Sequence, residues 1–220
     1  MATEKKKAKS FSRRYYMITA AALFSFALAT GFYQPTPSFA ASPVKTMVSK
    51  FGTQVLTILG NRHSARKQKE QFRTVFLRNA DIGAIARFTL GKYARIITPT
   101  QKVELHKLLG QYIVQLFVVK MRGTQSTGLE VLGITEIKKD LKYLVKSVIK
   151  IRKEPGFSDA PIPVKWRIYR NKSGELKLTD ISIGGFWLAQ AQRSTFVDII
   201  SSNRGKISAL LTHLRQEVSQ

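Results

Sequence analysis

Cysteine is absent from this chain, histidine occurs three times, and acidic residues are scarce, with 13 Asp+Glu against 37 Lys+Arg. Without cysteine there is no disulfide and no thiolate nucleophile, and most structural zinc sites are excluded. His63, His106 and His213 are scattered through helical or helix-adjacent sequence, which reads as solvated surface rather than ligand or base. No HExxH, no GxSxG and no glycine-rich phosphate loop occurs. Neither a cofactor nor a metal site is expected, and the chain is not read as an enzyme. Asp180 is an acid inside the strand-like run 176–183. It reads as a partner for backbone or for an arginine such as Arg193; a general base in a pocket is the alternative. The net charge of +24 would indicate nucleic-acid binding in a cytosolic protein.

The N-terminus redirects that inference. Lys5, Lys6, Lys7, Lys9, Arg13 and Arg14 precede a charge-free run over residues 15–33, then Pro35, Pro37 and Ser38-Phe39-Ala40 before Ala41. This order predicts a secretory signal peptide over residues 1–40, cleaved after Ala40, and one exported domain over residues 41–220. The alternative is an uncleaved anchor, since the apolar run is just long enough to span a bilayer. Ser12-Arg13-Arg14-Tyr15-Tyr16-Met17 also has the look of a twin-arginine signal, beside the general export route. Export to a bacterial periplasm takes nucleic acid off the list of partners and leaves lipid and acidic protein.

The mature chain begins with helical periods. Val48, Phe51, Val55, Leu56 and Leu59 share one spacing, and Phe72, Val75 and Phe76 another, with Ser64 as N-cap. Asp81 caps a short helix that ends at Gly91. Thr98-Pro99 with Gln101 opens the longest helix, predicted to break at Gly123. The period then becomes two. Strands are predicted over 129–137, 141–151, 162–168 and 176–183, with a Pro/Gly loop at 154–161 and a turn at 171–174. Two more helices follow, around Phe196, Ile199 and Ile200 and around Ile207, Leu210, Leu211 and Leu214. The expected fold is α+β, with helices on one face of a twisted four-stranded antiparallel sheet. A basic ladder of Lys142, Lys146, Lys150, Lys165, Arg167 and Lys177 falls on the opposite phase of the strands. It reads either as a solvated face or as a docking surface for anionic headgroups or an acidic partner.

Several blocks, in order, resemble the MlaC family of periplasmic phospholipid-binding proteins, also described as toluene-tolerance auxiliary components of an ABC transport system. They are Asp81-Ile82 with residues 86–95, then Thr98-Pro99 and Gln101, residues 112–117, residues 163–168, residues 180–183, residues 193–196, and Gly205 with Leu210, Leu211 and Leu214. None is a catalytic motif. Gly184-Gly185-Phe186-Trp187 departs from the family, which usually carries an acid, glycine, an aliphatic and a small polar residue there. The resemblance implies a monomeric carrier that shuttles phospholipid between an outer-membrane lipoprotein complex and an inner-membrane ABC transporter complex, touching membranes transiently and maintaining outer-membrane lipid asymmetry. It implies an apolar cavity between the helices and the sheet. The expected lining is Leu109, Tyr112, Ile113 and Leu116 on the helical side, facing Tyr143, Val145, Ile149, Val164, Trp166 and Ile168. A carrier of another lipid such as a hopanoid, or a small-molecule or enzyme domain on a similar fold, is the alternative.

Overall fold

The computed structural model describes residues 42–121, 125–152 and 160–219. The expected signal peptide with its cleavage site, the predicted break at Gly123 and most of the expected 154–161 loop lie outside these residues. The helices begin where their caps predict. In α1 (Pro43–Gly60), proline sits in the first turn, where its missing N–H costs nothing. Ser64 accepts from Lys67 N at the start of α2 (Ala65–Asn79), and Asp81 accepts from Ala84 N at 2.8 Å at the start of α3 (Ile82–Leu90). A 3-10 turn (Gly91–Arg95) leads to α4 (Pro99–Met121). There Thr98 Oγ1 accepts from Gln101 N and Gln101 Oε1 from Thr98 N, a reciprocal box. Gln68, fully buried in α2, spends its amide on the carbonyls of Ile58 and Asn61 and so closes the end of α1.

Five antiparallel strands follow in spatial order β1 (Ser126–Lys138), β2 (Lys142–Ile151), β3 (Ile162–Arg170), β4 (Leu176–Ile183) and β5 (Phe186–Trp187). The fifth strand is two residues long and is not legible as a strand from periodicity. Its cause is Gly184-Gly185. Both take positive φ, 58° and 95°, which a two-residue hairpin turn of the favoured twist requires, and Ile183 then pairs with Phe186. The chain closes with α5 (Leu188–Ser202) and α6 (Ile207–Ser219).

The helices lie on one face of the sheet. α1 covers β1 and part of β2, α5 covers β4, and α4 lies against α2 and α6. Val145, Ile149, Val164 and Ile168 point into this layer and are buried with Leu109, Phe196, Leu210 and Leu214. Arg193 of α5 donates to the Phe88 carbonyl at 2.8 Å and lies over the Phe88 ring, tying α5 to the end of α3. Two distant sequence blocks thus meet for a structural reason. Arg193 is not the partner of Asp180.

Candidate functional site

Helices and sheet separate over β3 and β4 and leave a cavity of about 650 Å³. Its walls are Phe51 and Val55 of α1, Phe72 and Phe76 of α2, Ile85 of α3, and Leu109, Ile113, Leu116 and Phe117 of α4. The sheet contributes Trp166, Leu178, Ile181 and Ile183, and the rim carries Phe186, Leu188, Ala189 and Gln192. Thr89 of α3, Thr179 and Asp180 of β4, and Lys120 and Met121 at the end of α4 complete the lining. The volume falls within the ordinary 300–1,000 Å³ of ligand pockets, and the lining is almost wholly apolar. Aromatic packing braces it. Phe72 stacks on Phe117 with centroids 4.6 Å apart, and Phe51 meets Trp166 edge-on at 5.9 Å. The Trp166 indole N–H donates to Ser147 Oγ at 2.8 Å, and that hydroxyl donates to the Val164 carbonyl. Trp166 can therefore turn a ring toward the cavity with no unpaired polar atom.

Of the ten residues expected to line the cavity, Leu109, Ile113, Leu116 and Trp166 do so. Tyr112 stands behind the wall, its hydroxyl donating to Gln192 Oε1. Val145, Ile149 and Val164 face the helices but pack into the core, because α1 closes directly over β1 and β2. Tyr143 and Ile168 lie at the other end of the sheet, beside a groove distinct from the cavity. The wall residues that strand alternation misplaces are Ile181 and Ile183. Arg167 pairs with Asp180, but Ile168 pairs with Leu178, so Thr179 is an extra residue, a β-bulge. The bulge reverses the phase of β4. Ile181 comes opposite Trp166 and faces the cavity, while Asp180 comes opposite Arg167. Phe72, Phe76 and Phe117 could have been suspected from aromatic content on helices already read as apolar.

Asp180 is an anchor for the rim. Its side chain is 3 % exposed; Oδ1 accepts from Ile181 N and from Ala189 N at 2.8 Å, and Oδ2 from Arg167 Nη1 at 3.0 Å. Burial pushes its carboxyl above the ordinary value, against the pull of these donors. It caps the first turn of α5 from a distance, since Trp187 at the N-cap offers no side-chain acceptor. Arg167 in turn lies over the Trp187 ring, 3.9 Å from its centroid. The stretch Gly184-Gly185-Phe186-Trp187 thus supplies both the turn and the rim. The side-chain bonds of Asp180 go to Arg167 and to two backbone N–H groups, and no cluster of metal-ligating side chains occurs among the described residues.

The basic ladder is only partly free. Lys142, Lys146 and Lys165 are exposed, with no ion pair among the described residues. Lys146 and Lys165 stand directly opposite each other on β2 and β3. Lys150 pairs with Glu130, Arg167 with Asp180, and Lys177 with Glu175 and the Arg78 carbonyl.

The family model for the MlaC protein matches residues 49–216. The chain belongs to the MlaC family. Among solved structures it is similar to a phospholipid-binding protein from Ralstonia solanacearum, determined in complex with a phospholipid, with a TM-score of 0.66 at 20 % identity over 80 % of this chain and 95 % of that one. At that identity the likeness concerns the fold. No curated protein matches the sequence.

Proposed function

We propose that this protein is a periplasmic carrier that takes the acyl chains of a phospholipid into the cavity between α4 and β3–β4. The observation that carries the reading is an apolar cavity of about 650 Å³ in a chain of the MlaC family. The relative from Ralstonia solanacearum, whose fold this chain shares, holds a phospholipid. A diacyl lipid has on the order of 30 methylenes, each costing roughly 0.8 kcal/mol in water, so free diffusion across an aqueous compartment carries a penalty of about 20 kcal/mol. A carrier replaces the bilayer with a dry wall. Exchange between bilayer and cavity is then nearly balanced, and direction comes from elsewhere, in keeping with a chain that has no nucleotide-binding motif of its own.

In this reading residues 1–40 are removed on export, residues 41–220 act as a monomer, and the protein binds and transports rather than catalyses. It shuttles lipid between an outer-membrane lipoprotein complex and an inner-membrane ABC transporter complex, with transient membrane contact. Lys142, Lys146 and Lys165 supply the unpaired charge of the docking face. Two lysines placed directly opposite across a strand pair repel, a cost that a solvated face has no need to carry. Native mass spectrometry of the protein purified from cells tests the reading. A bound diacyl phospholipid is expected; a polycyclic lipid would make it a carrier of another lipid, and an empty cavity after gentle purification would sink it.

A further inference from the structure

A second concavity, of about 680 Å³, lies on the far side of the β4 bulge from the lipid cavity. Arg87, Lys142 and Arg167 bring three cations to it, and Phe88, Leu144 and Trp187 supply apolar surface. Among its described lining residues the one acid, Asp180, is already paired with Arg167, and Asp81 just behind the lining accepts from Tyr169 and feels the charge of Arg87. Arg87 and Lys142 form no ion pair among the described residues. Thr179 and Asp180 border both concavities, so the bulge is the partition between them.

We infer that this groove seats an acidic segment of a partner protein, and that Arg167 couples its occupancy to opening of the lipid cavity. The inference rests on the carrier reading above and concerns its regulation. Unpaired cations beside aromatic and aliphatic walls complement a chain in which carboxylates alternate with apolar side chains. A bilayer surface is too broad to enter a concave groove, whereas an extended peptide is not. The coupling follows from the bonds of Arg167. A guanidinium has five N–H donors, and Asp180 takes from Nη1. A partner carboxylate in the groove takes others and draws the guanidinium away from Asp180 and from the Trp187 ring. Asp180 then holds Ala189 N as a buried carboxylate without a counter-charge. That uncompensated charge weakens the anchor of the first turn of α5, and with it the hold on Phe186, Leu188 and Gln192 at the rim.

The test uses the full mature chain loaded with a fluorescent phospholipid and measures transfer to phosphatidylcholine vesicles. Hexaglutamate at millimolar concentration is the probe, with a neutral hexapeptide as control. Hexaglutamate should speed transfer by at least about fivefold, the lower end of ordinary coupling between two sites. The effect should disappear in about 1 M salt, where charges are screened beyond roughly 3 Å. Arg167→Gln should transfer fast without peptide and gain nothing from it. If that variant does not fold, Trp187→Leu, which removes the surface under the guanidinium, is read in the same way. Wild type indifferent to hexaglutamate, or a folded Arg167→Gln protein with wild-type rate and response, overturns the inference. So does acceleration by phosphatidylglycerol vesicles alone, which would make the occupant a membrane. Failure of the wild type to hold the labelled lipid at all would instead overturn the carrier reading.

Discussion

Val145 and Ile181 both face inward from the sheet, yet a carboxylate should have opposite consequences at the two. Val145 is 0 % exposed and stands between Ile134 and Trp166 on the neighbouring strands. An aspartate there meets neither water nor a partner, and the penalty for a buried unpaired ion is several kcal/mol. Against a total stability of about 5–15 kcal/mol, a loss of about 4 kcal/mol lowers Tm by roughly 8–16 °C in a domain of this size. Ile181 borders a cavity of about 650 Å³, which has room for water when no lipid is bound. An aspartate there stays hydrated, and the fold should persist within about 1–2 kcal/mol of delipidated wild type. Lipid binding should suffer instead. A hydrated carboxylate holds acyl carbons off the wall; losing the burial of about four methylenes at roughly 0.8 kcal/mol each is about 3 kcal/mol, or more than 100-fold in affinity. Thermal melts and lipid analysis by native mass spectrometry read the two effects separately. Ile181→Asp that retains a full complement of lipid, or Val145→Asp that melts with the wild type, would refute the division of the inward face into cavity wall and core.

Ser147→Ala should cost about 1–3 kcal/mol by leaving the Trp166 indole N–H unpaired, and added to Trp166→Phe it should cost markedly less; chemical denaturation of the four proteins of the cycle checks this. Tyr169 donates to Asp81, and burial first, then that bond and the Asp81 charge, push its hydroxyl from 10.0 up to about 12. Its contribution to stability is therefore complete below pH 10.0 and lost as pH rises through about 12, and Tyr169→Phe should flatten the alkaline limb of a stability profile in that window. Replacing Lys146 and Lys165 with Gln should relieve a like-charge pair and raise stability by a few tenths of a kcal/mol. The same change should slow lipid transfer to anionic acceptors and reduce its dependence on salt, measured by a stopped-flow transfer assay.

Local chemistry determined most of the fold before any long-range contact was considered. Ser64, Asp81 and the Thr98–Gln101 box set where helices begin, because a cap is a bond between residues three apart. The alternation of apolar and basic residues set which side of β2 and β3 turns inward, because successive strand side chains point to opposite faces. The absence of cysteine and of catalytic motifs, with the resemblance to the MlaC family, pointed to a carrier. Tertiary structure decided the rest. Whether an inward residue is wall or core depends on whether a helix closes over it. Val145 and Ile149 are buried on the strand that α1 reaches, whereas Ile181 borders the cavity left between helices and sheet. The Thr179 bulge depends on how β4 pairs with β3, so the reversal that sends Ile181 to the cavity and sets Asp180 against Arg167 has no local signature. Arg193 could have met Asp180 by charge alone; it meets Phe88, and only the packing of α5 on α3 determines that choice.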